Sequence, residues 1–252
     1  MTADRWAQVV RQQLGLGRLL PLGRSRDGAW ITESAADAVL RRAAAAVDGV
    51  RLGALRIALA DPDAPYASAV PAPPSALAPG PLRVTAEFGA AADPTAPGSD
   101  PLPATAERLR LALSAAAAQR LGLDVSEVDL QVTDLLTDPP ERPESNTEEG
   151  EGVRETAGPK EPKVPNDPEA ARIAAVVRAV AGVTSLTEAL GRSVDITTPA
   201  ASEPAVPRRH VRVELAVSPD FRAVEVARAV RTAVAEAARD TPSVAVLVTA
   251  VG

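Results

Sequence analysis

Residues Val211-Arg212-Val213-Glu214-Leu215-Ala216-Val217-Ser218-Pro219 open the stretch that decides the fold. Val211, Val213, Leu215 and Val217 alternate with the residues between them, which is the period of a strand with one buried face. Ser218-Pro219 reads as a helix start, and Val224, Ala227, Val230 and Val234 continue as an apolar stripe at helical spacing. Ser243 to Val251 then reads as a last strand. Working upstream, Val194 and Ile196 mark an earlier strand. Before it, Asp167-Pro168 opens a helix striped by Ile173, Val176, Val177 and Val180 and closed by Gly182. The order is helix, strand, strand, helix, strand.

The first half of the chain repeats that order. Ala36, Val39, Leu40, Ala43 and Val47 form a helical stripe from Glu33, ending at Asp48-Gly49. Leu55, Ile57 and Leu59 alternate as a strand, and a Pro-rich loop over 62–81 leads to a second strand, Leu82, Val84, Ala86 and Phe88. Asp100-Pro101 is placed to start a helix with Asp100 as cap, striped by Leu102, Ala106, Leu109, Leu113 and Ala117 and closed by Gly122. Val128, Leu130 and Val132 mark the closing strand. Short matches support a duplication: Gly49-Val50 recurs as Gly182-Val183, and Leu82-Arg83-Val84 as Val211-Arg212-Val213. The expected fold class is α+β: two small sandwiches, each with two helices on a small mixed sheet, joined by a disordered linker.

The expected boundaries follow. Residues 1–28 hold an N-terminal amphipathic segment and a candidate hairpin strand around the Asp27-Gly28 turn, read as extending the first sheet. Residues 29–137 are the first domain, 138–167 the linker, and 168–252 a second, more divergent copy. The linker holds six prolines and nine acidic residues, with Val153 and Val164 its only sizeable aliphatics. Such a composition buries too little apolar surface to offset chain entropy of about 1–2 kcal/mol per residue.

Composition removes several classes of function. In 252 residues, 46% hydrophobic and 24% charged, there is no Cys and a single histidine, His210. Disulfide, thiolate and His- or Cys-based zinc chemistry are therefore out of reach. A net charge of −6 and only five aromatics, Trp6, Trp30, Tyr66, Phe88 and Phe221, argue against a nucleic-acid partner. All but two of the 27 basic residues are Arg, Lys160 and Lys163 being the exceptions. No signal-like or 18-residue apolar run occurs, so a cytoplasmic protein with no direct membrane span is expected.

Candidate chemistry is sparse. His210 follows Arg208 and Arg209 at a strand mouth with no nucleophile motif beside it, and it reads as a solvated strand-end residue. Gly15, Gly17 and Gly23 lack the spacing of a phosphate loop, and Ser34 lacks a nucleophile elbow and suits a helix start. Trp6, Val9, Val10 and Leu14 fall at helical spacing among Arg5, Arg11 and Arg18, a segment suited to membrane or partner contact. No catalytic residues, cofactor or metal site are expected, and the chain reads as a non-enzyme.

The first unit resembles the alkaline-shock-protein family of bacterial envelope stress response proteins. The resembling residues are Ile31-Thr32-Glu33-Ser34-Ala35-Ala36 and Val47-Asp48-Gly49-Val50, then the strand Leu82–Phe88, the helix Leu102–Leu121 and the strand Val128–Val132. Coverage is residues 29–136, with a weaker copy over 168–252. The tandem layout is also similar to a group of actinobacterial proteins labelled after a nucleopolyhedrovirus fibrillar protein. The chain departs from the family in its loop over 62–81 and in being a tethered pair. The resemblance implies a non-enzymatic scaffolding protein acting through protein–protein contacts, with self-association, paralogues or a small membrane-anchored protein as partners. It implies a cytoplasmic location, peripheral at the inner face of the membrane through a partner. The other expectation is a regulatory module that binds a small ligand or another regulator between its two domains.

Overall fold

The structure is a computed structural model and describes residues 15–63, 66–74, 76–91, 100–136, 167–198, 209–238 and 240–252. Trp6, Val9, Val10 and Leu14 lie outside the described residues, as does the linker apart from Asp167.

The fold is α+β, with two sheets. The smaller is β3 (Val50–Leu59), β4 (Leu82–Ala91) and β5 (Val125–Leu136), in that order. The larger runs β1 (Leu19–Pro21), β2 (Ala29–Thr32), β9 (Ser243–Val251), β8 (His210–Val217), β6 (Val183–Leu186), with β7 (Val194–Thr197) also on β8. The helices are α1 (Glu33–Ala45), α2 (Leu102–Ala115), α3 (Pro168–Arg178) and α4 (Ala223–Ala237), and α2 runs on into a π-helical turn, Ala116–Leu121.

The two halves share a pairing order. β3 is antiparallel to β4, and β4 is parallel to β5 across the α2 crossover. Likewise β6 and β7 are antiparallel to β8, and β8 is parallel to β9 across α4. β6 and β7 lie end to end along β8, so together they do what β3 does alone. Where β3 has a bulge between Leu52 and Leu55, the second unit opens into a loop over 187–193.

One expectation is corrected. The hairpin at Asp27-Gly28 forms, with β1 antiparallel to β2, but it extends the second sheet. Ala29, Trp30 and Ile31 pair in parallel with Val246, Leu247 and Val248. The cause lies in β9, where Val244 to Val248 are all buried, whichever face they point to. A strand apolar on both faces belongs inside a sheet, and the wholly buried Ala29–Thr32 completes it. The units are thereby interlocked: the strand that leads into α1 belongs to the sheet of the other half. Asp27 reinforces this join by pairing with Arg228 of α4 at 2.8 Å.

Helix ends show where local signals hold. Asp167 caps α3 through its side chain, accepting from the Glu169 N–H at 2.9 Å, as expected. Gly49, Gly122 and Gly182 all adopt positive φ after their helices. Asp100 does not cap α2: the helix begins one residue later behind Pro101, and Asp100 pairs instead with Arg108. Nor does Ser218-Pro219 start α4. The Ser218 hydroxyl accepts from the Asp220 N–H in a local turn, and the helix begins at Ala223. Thr32 caps α1, accepting from the Ala35 N–H at 3.3 Å, with Ser34 in the first turn.

The helices share one core. Ile57, Phe88 and Leu109 of the first unit are continuous with Val177, Val213 and Val230 of the second. α1 packs on both β3 and β9, which locks the halves together. The far face of the large sheet is closed by a second cluster: Leu19, Trp30, Val70, Ala245 and Leu247. Val70 belongs to the Pro-rich loop, which is held down by the Leu77 N–H donating to Leu19 O and the Ala69 N–H to Ser25 O.

Candidate functional site

The two units differ most at the outer edge of their last strand. In the second unit that edge of β9 is filled by β2. In the first, β5 pairs with β4 on one side and with no described strand on the other. β5 has 12 residues, about 40 Å at the usual strand rise, and an edge of that length presents a row of backbone donors and acceptors to a partner.

Side chains along β5 sort onto two faces. Val128, Leu130 and Val132 register with Val84, Ala86 and Phe88, whose side chains are buried in the core. At the edge the helices no longer cover them fully. Val132 is 42% exposed, and Leu135, beyond the bulge at Phe88/Gly89, is 57% exposed. The opposite face carries Glu127 and Asp129, both reached by Arg83 of β4, at 2.6 and 3.6 Å. Asp134 is held by Arg51 of β3 at 2.7 Å. From Leu121 to Leu136 there is no Lys or Arg, so the edge strand itself is purely acidic. Two copies of β5 set side by side would oppose like charges, which disfavours self-pairing.

The second unit holds a different cluster, at the polar positions of β8. Glu214 is fully buried, and its Oε2 accepts from the Leu190 N–H at 2.9 Å. Burial pushes its carboxyl pKa up to about 7, against the pull of that backbone donor and of Arg212. Arg212 pairs with Asp195 at 3.3 Å and stands 3.8 Å from Glu214 Oε1, beyond hydrogen-bond reach. Glu214 Oε1, Arg212 Nε, Trp30 Nε1 and Ser68 Oγ are buried without hydrogen-bond partners. Trp30 and Glu214 both register with Leu247, so the three side chains form one row on the face closed by the loops.

His210 is brought against Ser243, Nδ1 to Oγ 2.8 Å, because β8 and β9 start in register. Desolvation and the nearby Arg212 hold the imidazole pKa below its ordinary value. The Ser243 hydroxyl also donates to Arg209 O, while Asp195, whose charge acts on the imidazole, is engaged by Arg212. Among the described residues, no carboxylate hydrogen-bonds the His210 ring as the orienting acid of a nucleophilic triad would. Neither Ser243 nor Glu214 carries a motif in the sequence, because their partners, His210 and the Leu190 N–H, are 33 and 24 residues away along the chain.

Among the described residues, no group of three or more acidic or histidine side chains is arranged to hold a metal, and no helix is long and apolar enough to cross a membrane. No family model, curated protein or solved structure matches the chain.

Proposed function

We propose that the chain is a non-enzymatic docking or scaffolding protein, which takes an extended segment of a protein partner onto the open edge of β5. One observation carries the reading. Of two edges that match in topology, β9 is completed by β2, while β5 has no further strand beside it among the described residues. Strand addition draws affinity from backbone hydrogen bonds and specificity from alternate side chains. Val132 and Leu135 supply the apolar contacts, and the acids on the other face select a strand with basic residues over a second copy. Following the resemblance to envelope stress proteins, the partner is a small membrane-anchored protein that holds the chain at the inner face of the membrane.

Sedimentation tests this. The chain should co-sediment with native membranes and lose that binding once the membranes are shaved with protease. Protein-free anionic vesicles should leave it in the supernatant at physiological salt. Equal binding to protein-free vesicles would show direct lipid attachment instead, and absence from native membranes in both resting and stressed cells would remove the tethering idea.

A further inference from the structure

A groove of about 400 Å³ lies where the two halves meet, between α1, the end of α2 with its π-helical turn, and the Pro219 and Val251 ends of the second unit. Its walls are unusual in two respects. First, the facing helical positions are small: Ala43 and Ala46 on α1 and its cap, with Ala112 and Ala115 on α2. Side chains of that size cannot fill the space between two helices, and a trough remains. Second, two guanidinium groups, Arg42 and Arg120, line the trough, and no carboxylate side chain among the described residues does.

The charges are only partly engaged. Arg42 donates through Nη2 to Val251 O at 3.1 Å, a neutral acceptor, and lies against the backbone of Gly252. Arg120 forms no hydrogen bond or ion pair with a described residue. It sits in the π-helical turn, a distortion that recurs at functional sites. The turn is pinned from behind: Gly122 lies so close to Val224 of α4 that a side chain there has no room. The wall bearing Arg120 is thus packed against the second unit, which also holds it through Arg222 Nε donating to Ala118 O at 3.0 Å.

We infer that this groove binds a small amphipathic organic anion, its acidic head on Arg42 and Arg120 and its short aliphatic body along the alanine trough. Guanidinium forks favour carboxylate or phosphate oxygens, and a mainly apolar groove of this volume suits a small organic body. The site is built from both halves, so an occupant strengthens their join. It lies apart from β5 and does not depend on the docking reading: sedimentation reports on one and ligand titration on the other.

The probe is octanoate, titrated into the full chain below its micellar range and followed by amide resonances. Octyltrimethylammonium and acetate serve as controls for charge and for body. Saturable octanoate shifts should centre on the groove, with either control binding at least tenfold more weakly. Arg120→Ala should weaken octanoate about tenfold, the loss of one charge-assisted contact. Ala46→Leu places bulk in the trough at an exposed position and should abolish binding while leaving the melting temperature unchanged. Equal binding of octyltrimethylammonium, undiminished binding by both variants, or no saturable binding of octanoate would each overturn the inference.

Discussion

Replacing Glu214 with Gln should change how stability depends on pH. In the native state burial raises the carboxyl from 4.5 to about 7. A group with a raised native pKa keeps its proton where the unfolded chain has lost it. Stability is then fully present below pH 4.5 and falls as pH rises through 7. At 1.36 kcal/mol per pH unit, the shift corresponds to a loss of about 3 kcal/mol, a large share of the usual 5–15. The amide introduced by Glu214→Gln is neutral throughout and its oxygen can still accept the Leu190 N–H, so the loss should vanish in the variant. Arg212 and Asp195 are the charged groups that act on Glu214, and the variant retains both. The assay is urea unfolding of both proteins at half-unit steps from pH 4.5 to 8. The difference between them should move by about 3 kcal/mol in favour of the variant as pH rises. Parallel profiles would refute the reasoning, since they would mean that Glu214 ionises in the native state as easily as in the unfolded chain.

Three further outcomes are expected. Asp27→Asn should destabilise the protein at neutral pH by roughly 1–2 kcal/mol, because Arg228 would lose a charge-assisted partner; Arg228 holds the Asp27 pKa below its ordinary value, so the difference should fade as pH drops through the acid range, as denaturant titrations would show. Gly122→Ala should cost more than about 2 kcal/mol, since Gly122 has φ 86° and its Cβ would press on Val224, and calorimetry would show the lowered Tm. His210→Ala should cost about 1 kcal/mol, one hydrogen bond to Ser243, and should leave any hydrolase readout at background; turnover abolished by that change would mark the protein as an enzyme.

Much of the fold is legible because its signals are local. Alternation in Leu82–Phe88 and Val211–Val217 marks β4 and β8, and the stripes in α1 to α4 follow from helical spacing. Parallel pairing is where local reading stops. That β2 joins β9 depends on an edge more than two hundred residues away, and nothing in Ala29–Thr32 names that partner. Glu214 occupies an outward position of β8 by alternation and would be solvated on an open sheet. It is buried because the 187–193 loop and the cluster around Trp30 close that face. Proline and serine signals misplace two helix starts for a related reason. Asp100 and Ser218 find partners in Arg108 and Asp220, which compete with capping. The docking edge is half legible: the acidic, apolar-alternating text of β5 can be read, but its open side emerges only from comparison with the completed edge of β9.

The most direct test of the docking claim uses the absence of cysteine. Val132→Cys and, separately, Phe221→Cys each place a single thiol in the chain, at positions 42% and 45% exposed in the native protein. Each is labelled with a thiol-directed photocrosslinker and irradiated on native membranes. The account predicts a discrete protein adduct from position 132 and none from position 221. It also predicts that the adduct disappears when Leu135→Lys is added. Equal adducts from both positions, or an adduct from 221 alone, would contradict it.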